Sequence, residues 1–285
     1  MSLDPSVIGV RSDPQPRSWT SADTLLYALG VGAGHDDPLA DLRYTSEHGD
    51  DTCAEQKVLP TFGVMVTWGS RGGRKMGDFD PAMLVHAEQE VVLHRPLTAG
   101  GTVSLTTQVT GMFDKGSGAL VTSEAEAVDP ATGEAVVTTR SSVFIRGEGG
   151  FGGDPGPKAA SPIPDRDPDE VVTMPTWPGQ ALLYRLSGDR NPLHSDPRFS
   201  ARGGFERPIL HGLCTYGVTG RALVRTVAGG DGDAMASMSG RFSSPVLPGE
   251  SLQVAMWRVG DDVTAFQTRK EDGTVVIDRG LATWR

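Results

Sequence analysis

Two stretches of the chain alternate hydrophobic and polar residues, which is the pattern of strands that bury one face. The alternation is clearest in "TVSLTTQV" at 102–109 and in "SLQVAMWRV" at 251–259. Turn-forming runs follow each stretch, "DPATG" at 129–133 and "EDG" at 271–273. We therefore predict antiparallel strands in the last third of each half of the chain.

One helix is predicted before the strands of each half. The clearer one is "HGLCTYGVTGRALVRTVAGG" at 211–230, which ends in glycines suited to a helix stop. One helix with several strands predicts an α+β fold in which an antiparallel sheet wraps around a central helix. The absent side chains of Gly212, Gly217 and Gly220 predict that this helix lies close to the sheet.

The same order of features occurs twice along the chain. The matching pairs are "LLYALGVGAGHDDPL" with "LLYRLSGDRNPL", "RPLTAGGTVSL" with "SPVLPGESL", and "GEAVVTTRSSVF" with "GTVVIDRGLATW". Between the halves, the Gly-, Pro- and Asp-rich stretch from Arg146 to Glu170 fits neither the helical nor the strand period. We predict an N-terminal repeat at 1–150, a linker at 151–170 and a C-terminal repeat at 171–285.

Composition restricts the class of protein. A net charge of −10 argues against nonspecific binding to nucleic acid, which depends on clustered Lys and Arg. The first residues carry acids and prolines where a signal peptide needs a basic start and an apolar core, and no run approaches the ~18 apolar residues of a membrane span. The two cysteines, Cys53 and Cys214, lie far apart, which favours a reducing compartment. We expect a cytoplasmic protein with no membrane or nucleic-acid partner.

The loop "LSGDRNPLHSD" at 186–196 carries the strongest chemical signal. Pro192 cannot continue a helix, and Asn191 can hydrogen-bond its own backbone and fix a turn. Asp189 and His194 can then converge on one water molecule, remove one of its protons and deliver another, since the reference pKa of histidine is about 6.5.

Other interpretations of this loop stay open. Asp189 can cap the following segment while His194 only packs, or Asp189, His194 and Asp196 can bind a divalent metal. A nucleophilic mechanism has less support, because the chain has no G-x-S-x-G elbow. "GVGAG" at 30–34 follows a helical pattern and lacks the full dinucleotide fingerprint.

His211 and Gly212 lie at the predicted start of the C-terminal helix. The first N–H groups of a helix have no intrahelical acceptor and meet the positive end of the dipole. A developing oxyanion on a substrate carbonyl can be stabilised there, at about 3–4 kcal/mol per donor in other enzymes.

The segment "YRLSGDRNPLHSDPRFSARGGFERPILHGLCTYG" at 184–217 resembles the signature of the MaoC-like hydratase 2 family. In the first half, "DTLLYALGVGAG", "VLPTFGV", "FDKGSG" and "RGEGGFGG" resemble the amino-terminal half of eukaryotic-type hydratase 2. The resemblance implies a double hot-dog fold and the (R)-specific hydration of trans-2-enoyl-CoA to (3R)-3-hydroxyacyl-CoA, with the reverse dehydration. It implies neither a metal nor a redox cofactor.

The resemblance also implies roles for residues of the second half. Asp189 and His194 would orient water for attack at C3 and return a proton to C2, with Asn191 supporting them. Gly212 would donate its N–H to the thioester oxygen, and Phe242 would line the ligand path.

In the first half, the matched ligand contacts are His86, Ala87 and Lys115, with Lys115 meeting the CoA phosphate. The family more often has Gly where Ala87 stands, so a methyl group is expected to narrow the approach. This half lacks the Asp-x-Asn-Pro-x-His pattern. We therefore expect it to accommodate acyl and CoA groups and not to catalyse.

Two functions compete with hydration. A thioesterase of the same fold would direct water at the carbonyl, and a noncatalytic acyl-CoA-binding protein would not need the acid and imidazole. The repeats leave exposed sheet edges and helix faces that can bring two chains together, so we expect a homodimer. Acyl length and pathway stay open.

Overall fold

The structure is a computed structural model, which describes residues 2–48, 50–51, 55–69, 75–157 and 160–285. Cys53 lies outside these residues. The described residues form ten strands: β1 Gln15–Trp19, β2 Leu84–Leu93, β3 Gly101–Asp114, β4 Gly118–Val128, β5 Ala135–Arg146, β6 Glu170–Met174, β7 Met235–Phe242, β8 Leu252–Gly260, β9 Val263–Lys270 and β10 Val275–Trp284.

All ten strands belong to one antiparallel sheet with the order β1-β3-β4-β5-β2-β7-β10-β9-β8-β6. Each half contributes five strands, and both halves use the same order, with the second strand innermost. The halves join where β2 pairs with β7, from Glu88 opposite Arg241 to Val92 opposite Ser237. This arrangement confirms the predicted α+β class and the double hot-dog fold.

Six α-helices accompany the sheet in the described residues: α1 Ser21–Gly30, α2 Leu42–Thr45, α3 Gly63–Thr67, α4 Gln180–Tyr184, α5 Pro197–Arg202 and α6 Gly212–Val227. The predicted C-terminal helix is confirmed as α6, and its residues from Leu213 to Val224 are all buried. Gly229 and Gly230 follow it with positive φ angles, the backbone region that glycine adopts most readily.

The central helix of the N-terminal half is much shorter than that of the C-terminal half. α3 spans five residues, against sixteen in α6. Three of the five, Val64, Val66 and Thr67, are β-branched and lower the helix propensity, and Gly69 follows with a φ of 71°. The sheet of the first half therefore encloses a short helix, which leaves room beside it.

The predicted close approach of α6 to the sheet holds at Gly212, where a Cβ would lie 3.3 Å from Cε1 of Phe242 at the end of β7, whereas Gly217 and Gly220 mainly approach other segments. A Cβ on Gly217 would lie 2.4 Å from Cγ1 of Val31, and one on Gly220 would lie 2.4 Å from Cγ2 of Thr61. Only Met238, on β7, is a sheet residue among the nearest contacts of Gly220, at 3.3 Å. These glycines thus admit segments of the N-terminal half against α6, because the hot-dog helices pack on the opposite half as well as on their own sheet.

A buried ion pair also joins the halves. Arg221 of α6 lies with its Nη1 3.2 Å from Oδ2 of Asp41, and the two side chains are 3% and 4% exposed. Nη1 also donates to the carbonyl of Gly32. Burial lowers the pKa of Arg221, and the carboxylate of Asp41 opposes that shift. The charge of the buried guanidinium is therefore offset by its partners in the N-terminal half, Asp41 and the carbonyl of Gly32.

Equivalent tyrosines of the two repeats meet beside the site described next. Tyr27 of α1 and Tyr184 of α4 occupy matching positions in "LLY", and their ring centroids are 6.0 Å apart. Both residues are buried. This contact fixes α4, and with it the start of the loop that carries Asp189.

Candidate active site

The loop after α4 is shaped by its own polar side chains. Oδ1 of Asp189 accepts the N–H of Asn191 at 3.1 Å, and Oδ1 of Asn191 accepts the N–H of Leu193 at 3.0 Å. Pro192 then begins a short 3-10 helix that ends at His194. The sequence therefore folds back within six residues and brings Asp189 and His194 to one side, as the loop pattern predicts.

Asp189 and His194 face each other in a buried setting, each 8% exposed. Nδ1 of His194 lies 2.9 Å from the carbonyl of Ile209. Because a carbonyl only accepts, Nδ1 carries the hydrogen and donates it, which leaves Nε2 as the accepting nitrogen of the neutral ring. A ring nitrogen of His194, a ring nitrogen of His211 and a carboxylate oxygen of Asp189 all lie within 4.8 Å of one another.

Burial shifts the pKa values of Asp189 and His194 toward each other. It raises the pKa of Asp189, which the charge of His194 partly opposes. It lowers the pKa of His194, which the charge of Asp189 partly opposes. Since their pKa values shift toward each other, the cost of moving a proton from one group to the other falls, which suits a general acid–base pair.

A cavity of about 430 Å³ opens beside this pair and draws its walls from both halves of the chain. Six of the residues singled out from the sequence line it: Asp189, Asn191, His194, Gly212, His86 and Phe242. Apolar side chains supply much of the remaining wall, including Leu84, Val143 and Val246. The cavity thus combines a few polar groups with an apolar surface, the usual composition of a small-molecule site.

Gly212 begins α6 and lies against the cavity. The first N–H groups of such a helix lack intrahelical acceptors and point out of its end. A Cβ at this position would lie 3.3 Å from Cε1 of Phe242. Glycine therefore keeps the backbone open to a ligand between the helix start and the Phe242 ring.

His86 of β2 lies on the same cavity wall, next to Phe242. Its ring centroid lies 5.0 Å from that of Phe242, and its Nε2 donates to the carbonyl of Glu88 at 3.0 Å. Desolvation lowers the pKa of His86 to about 4, with smaller opposing effects from hydrogen bonds to Glu88 and Gln89. The ring is therefore neutral at physiological pH and suits contact with an uncharged part of a ligand.

Two predicted contact residues lie outside the cavity wall. Ala87 is at a bulge in the pairing of β2 with β5, between His86 and Glu88. Lys115 is exposed in the turn between β3 and β4, where its Nζ donates to the carbonyl of Pro155. The motifs around Lys115 have a structural use, because the Asp114 carboxylate accepts the N–H groups of three glycines from "FDKGSG" and "RGEGGFGG": Gly116, Gly150 and Gly152.

The structure groups His211, and not Asp196, with Asp189 and His194 as the residues that could bind a metal. Asp196 caps α5 by accepting the N–H of Arg198 and pairs with that residue's guanidinium. His211 takes its place beside Asp189 and His194, with its ring stacked on His194 at 3.8 Å between centroids and 27° between planes. Stacked rings direct their nitrogen lone pairs side by side and not toward one point. The three groups therefore fit a hydrogen-bonded site better than a tetrahedral metal site.

Two of the lining residues that were not predicted have chemistry or a position that bears on the site, Arg146 and Trp68. Among the described residues of the cavity wall, Arg146 is the one lysine or arginine. Its Nη1 donates to the carbonyl of Gly203 at 3.1 Å, and its guanidinium lies 5.8 Å from the ring centroid of Phe205. In the sequence, Arg146 is the first residue of "RGEGGFGG", a segment that carries the family resemblance and begins the Gly-, Pro- and Asp-rich stretch. Trp68 lies on the walls of this cavity and of a second one of about 310 Å³ in the N-terminal half.

Two protein-family models divide the chain between them. The MaoC like domain matches residues 159–280, and the MFE-2 hydratase 2 N-terminal domain matches residues 18–147. The first match contains the loop with Asp189 and His194, and the second contains the half without that pattern.

Similar proteins extend over the whole chain. The chain is 46% identical to 3-hydroxyacyl-thioester dehydratase Y of Mycobacterium tuberculosis, over 100% of this chain and 99% of that protein. It is 44% identical to enoyl-CoA hydratase ChsH3 of the same organism, over 99% and 98%. The crystal structure of a MaoC-like dehydratase from Phytophthora capsici matches with a TM-score of 0.87 and 34% identity, over 100% of this chain and 98% of that one.

Proposed function

The chain belongs to the MaoC-like family, in its two-repeat hydratase 2 form, and from this membership we propose that it hydrates trans-2-enoyl-CoA. The product is (3R)-3-hydroxyacyl-CoA, and the enzyme also catalyses the reverse dehydration, in fatty-acid or related acyl-CoA metabolism. The observation that carries the proposal is the buried pair of Asp189 and His194 on the wall of a cavity that also contains the start of α6.

The chemistry follows from this geometry. A water held between the Asp189 carboxylate and Nε2 of His194 adds its oxygen to C3, and the pair accepts one of the water's protons. The C2–C3 double bond becomes single as a proton from the pair is delivered to C2. Negative charge that develops on the thioester oxygen is stabilised by the N–H of Gly212, so the site binds the transition state more tightly than the substrate.

Product analysis tests the reaction type. With trans-2-enoyl-CoA we expect loss of the conjugated double bond, retention of the thioester and a product of 3R configuration on chiral analysis. A thioesterase would instead release CoA thiol in proportion to the substrate lost, and a noncatalytic binding protein would leave the substrate unchanged. Thiol release without hydroxyacyl-CoA would contradict the proposal.

We propose the division of labour that the repeats suggest: residues 1–150 accommodate acyl and CoA groups, 151–170 link the repeats, and 171–285 catalyse. The second cavity, of about 310 Å³, supports this division, since it lies beside the short α3. Trp68 and Ser141 line both cavities. The indole of Trp68 also lies near the loop that carries Asp189, since a Cβ placed on Gly188 would be 3.8 Å from its Cδ1.

Truncating Trp68 should change acyl-chain preference. Because the Trp68 side chain lines both cavities, Trp68→Ala should join them into one. We therefore expect kcat/KM for long acyl chains to rise by about 10-fold relative to short ones. This is the scale of effect that one or two methylenes have in an apolar pocket. The measurement is kcat/KM across enoyl-CoA substrates of increasing length.

Trp177→Ala is the matched control, because that tryptophan is half-buried and stacks on His35, away from the walls of both cavities. It should leave the length profile unchanged. An equal loss at every chain length in Trp68→Ala would show that the indole does not divide the acyl path.

We propose a cytoplasmic homodimer as the working form. The described strands at the sheet edges, β1 and β6, each have one free side and support pairing between chains. Cys214 is a buried free thiol, consistent with a reducing compartment. Within the described ranges, none of the helices is both long and apolar enough for a bilayer crossing.

A further inference from the structure

His211 is fully buried at the junction of three elements of the site. Its ring stacks on His194, with centroids 3.8 Å apart. Its Nε2 lies 3.1 Å from the carbonyl oxygen of Asp189. It is also the residue before Gly212, and its own carbonyl accepts the N–H of Cys214 at 3.0 Å in the first turn of α6. One side chain thus touches both members of the proposed pair and adjoins the proposed oxyanion donor.

The hydrogen bond fixes the state of the ring. The Asp189 carbonyl only accepts, so Nε2 of His211 carries the hydrogen, and Nδ1 is a bare nitrogen with no hydrogen-bond partner among the described residues. The groups that face the ring are His194, the Asp189 backbone, Arg185 and Tyr184. Burial, together with the charges of His194 and Arg185, lowers the pKa of His211 to about 2, against the smaller opposing effect of its hydrogen bond to Asp189.

The first repeat provides an internal comparison. "TFGV" at 61–64 corresponds to "LHGL" at 210–213, so Phe62 and Gly63 stand where His211 and Gly212 stand. Phe62 is buried like His211, and Gly63 begins α3 as Gly212 begins α6. The fold therefore accepts an aromatic ring of either kind at this position. The imidazole occurs in the repeat that has the acid and histidine pair, and the phenyl ring in the repeat that lacks it.

We propose that His211 is a positioning residue for hydration, an inference that rests on the function proposed above. Its N–H holds the backbone of Asp189, and its neutral ring supports the face of His194, so the two groups keep the separation that one water can bridge. A phenyl ring provides the stack without the N–H. The hydrogen bond is what distinguishes the histidine of the second repeat from the phenylalanine of the first.

Two substitutions separate the hydrogen bond from the stack. His211→Phe keeps a ring and removes the donor, whereas His211→Gln removes the ring and places an amide N–H at the reach of Nε2. We expect His211→Phe to lower kcat by about 10- to 100-fold with KM within about 2-fold, since a displacement of roughly 1 Å can cost ~10²-fold. His211→Gln should recover part of that loss. Thermal unfolding of both variants measures whether the fold is retained.

His94→Phe is the control for the chemical change, because His94 is exposed beyond the far end of β2 and bonds Thr138 at 2.9 Å. It should leave kcat unchanged. Wild-type kcat in His211→Phe, or equal losses in His211→Phe and His211→Gln, would overturn the role of the N–H.

A measurement independent of turnover keeps this inference separate from the proposed reaction. Nitrogen-15 NMR of labelled histidines should show His211 as the neutral Nε2–H tautomer from pH 5 to pH 9. The resonances of His194 should move in His211→Phe and not in His94→Phe. A His211 that titrates in this range, or a His194 that does not respond, would refute the positioning role. Absence of hydration by the wild-type protein would instead refute the proposed function.

Discussion

Asp189→Asn should lower kcat by about 10²–10⁴-fold, the range for a general acid–base group. The amide keeps an oxygen that can accept the N–H of Asn191, so the turn is retained while the carboxylate charge is lost. His194→Ala should cause a loss of similar size. The measurement is steady-state hydration of a trans-2-enoyl-CoA, with binding of the (3R)-hydroxyacyl product measured separately.

His194→Asn sharpens the second substitution. His194→Ala leaves the buried Ile209 carbonyl without its donor, which itself costs about 1–3 kcal/mol of stability. An asparagine amide can occupy the place of Nδ1 and donate to that carbonyl, but it has nothing at the place of Nε2. We expect His194→Asn to be as inactive as His194→Ala and more stable. Unchanged turnover in the Asp189 and His194 variants would reject their assigned roles.

The largest effect on stability should come from the buried pair of Arg221 and Asp41. Asp41→Asn leaves the guanidinium without a counter-charge at a position 3% exposed, so we expect the free energy of unfolding to fall by about 3–5 kcal/mol. Urea denaturation gives this quantity from the midpoint and slope. The double variant Asp41→Leu with Arg221→Met should recover much of the loss, because apolar side chains need no compensation in that setting.

Glu126→Gln is the surface counterpart of this experiment. Arg11 and Glu126 lie 3.0 Å apart with side chains 58% and 35% exposed. Removing this charge should change the free energy of unfolding by less than about 1 kcal/mol, because water screens the pair. If Asp41→Asn and Glu126→Gln lower the free energy of unfolding by similar amounts, the buried Arg221 does not need the charge of Asp41 more than a surface arginine needs its partner.

The parts of the fold that were predictable are those with local signals. The terminal glycines of α6, the turn of the Asp189 loop and the strand alternation each lie within about ten consecutive residues. The length of α3 was less accessible, because "VLPTFGV" begins like its counterpart and its end depends on Gly69 and β-branched residues. The pairing of β2 with β7 has no local signature, since it joins segments more than 140 positions apart.

In the site, too, the predictable residues are those with a local signal in the sequence. Asp189, Asn191 and His194 were identified because one loop carries all three, and Gly212 because it begins a helix. Ala87 and Lys115 were matched by position in a motif, but a bulge and an exposed turn decide where their side chains lie. His211 was recognised as the residue beside an oxyanion donor. Its contact with His194 depends on tertiary packing and became apparent only in three dimensions.

The sheet that runs unbroken through both halves has a consequence for how such a protein can change. In an assembly of two identical single-repeat subunits, every mutation is copied to both sides of the twofold axis. Fusion into one polypeptide removes that obligation. One side can shorten α3 and carry Phe62 while the other keeps its polar loop and His211. Under the division of labour proposed above, the chain can change the space for the acyl group in one half without changing the Asp189 and His194 pair in the other, which a strictly symmetric dimer cannot do.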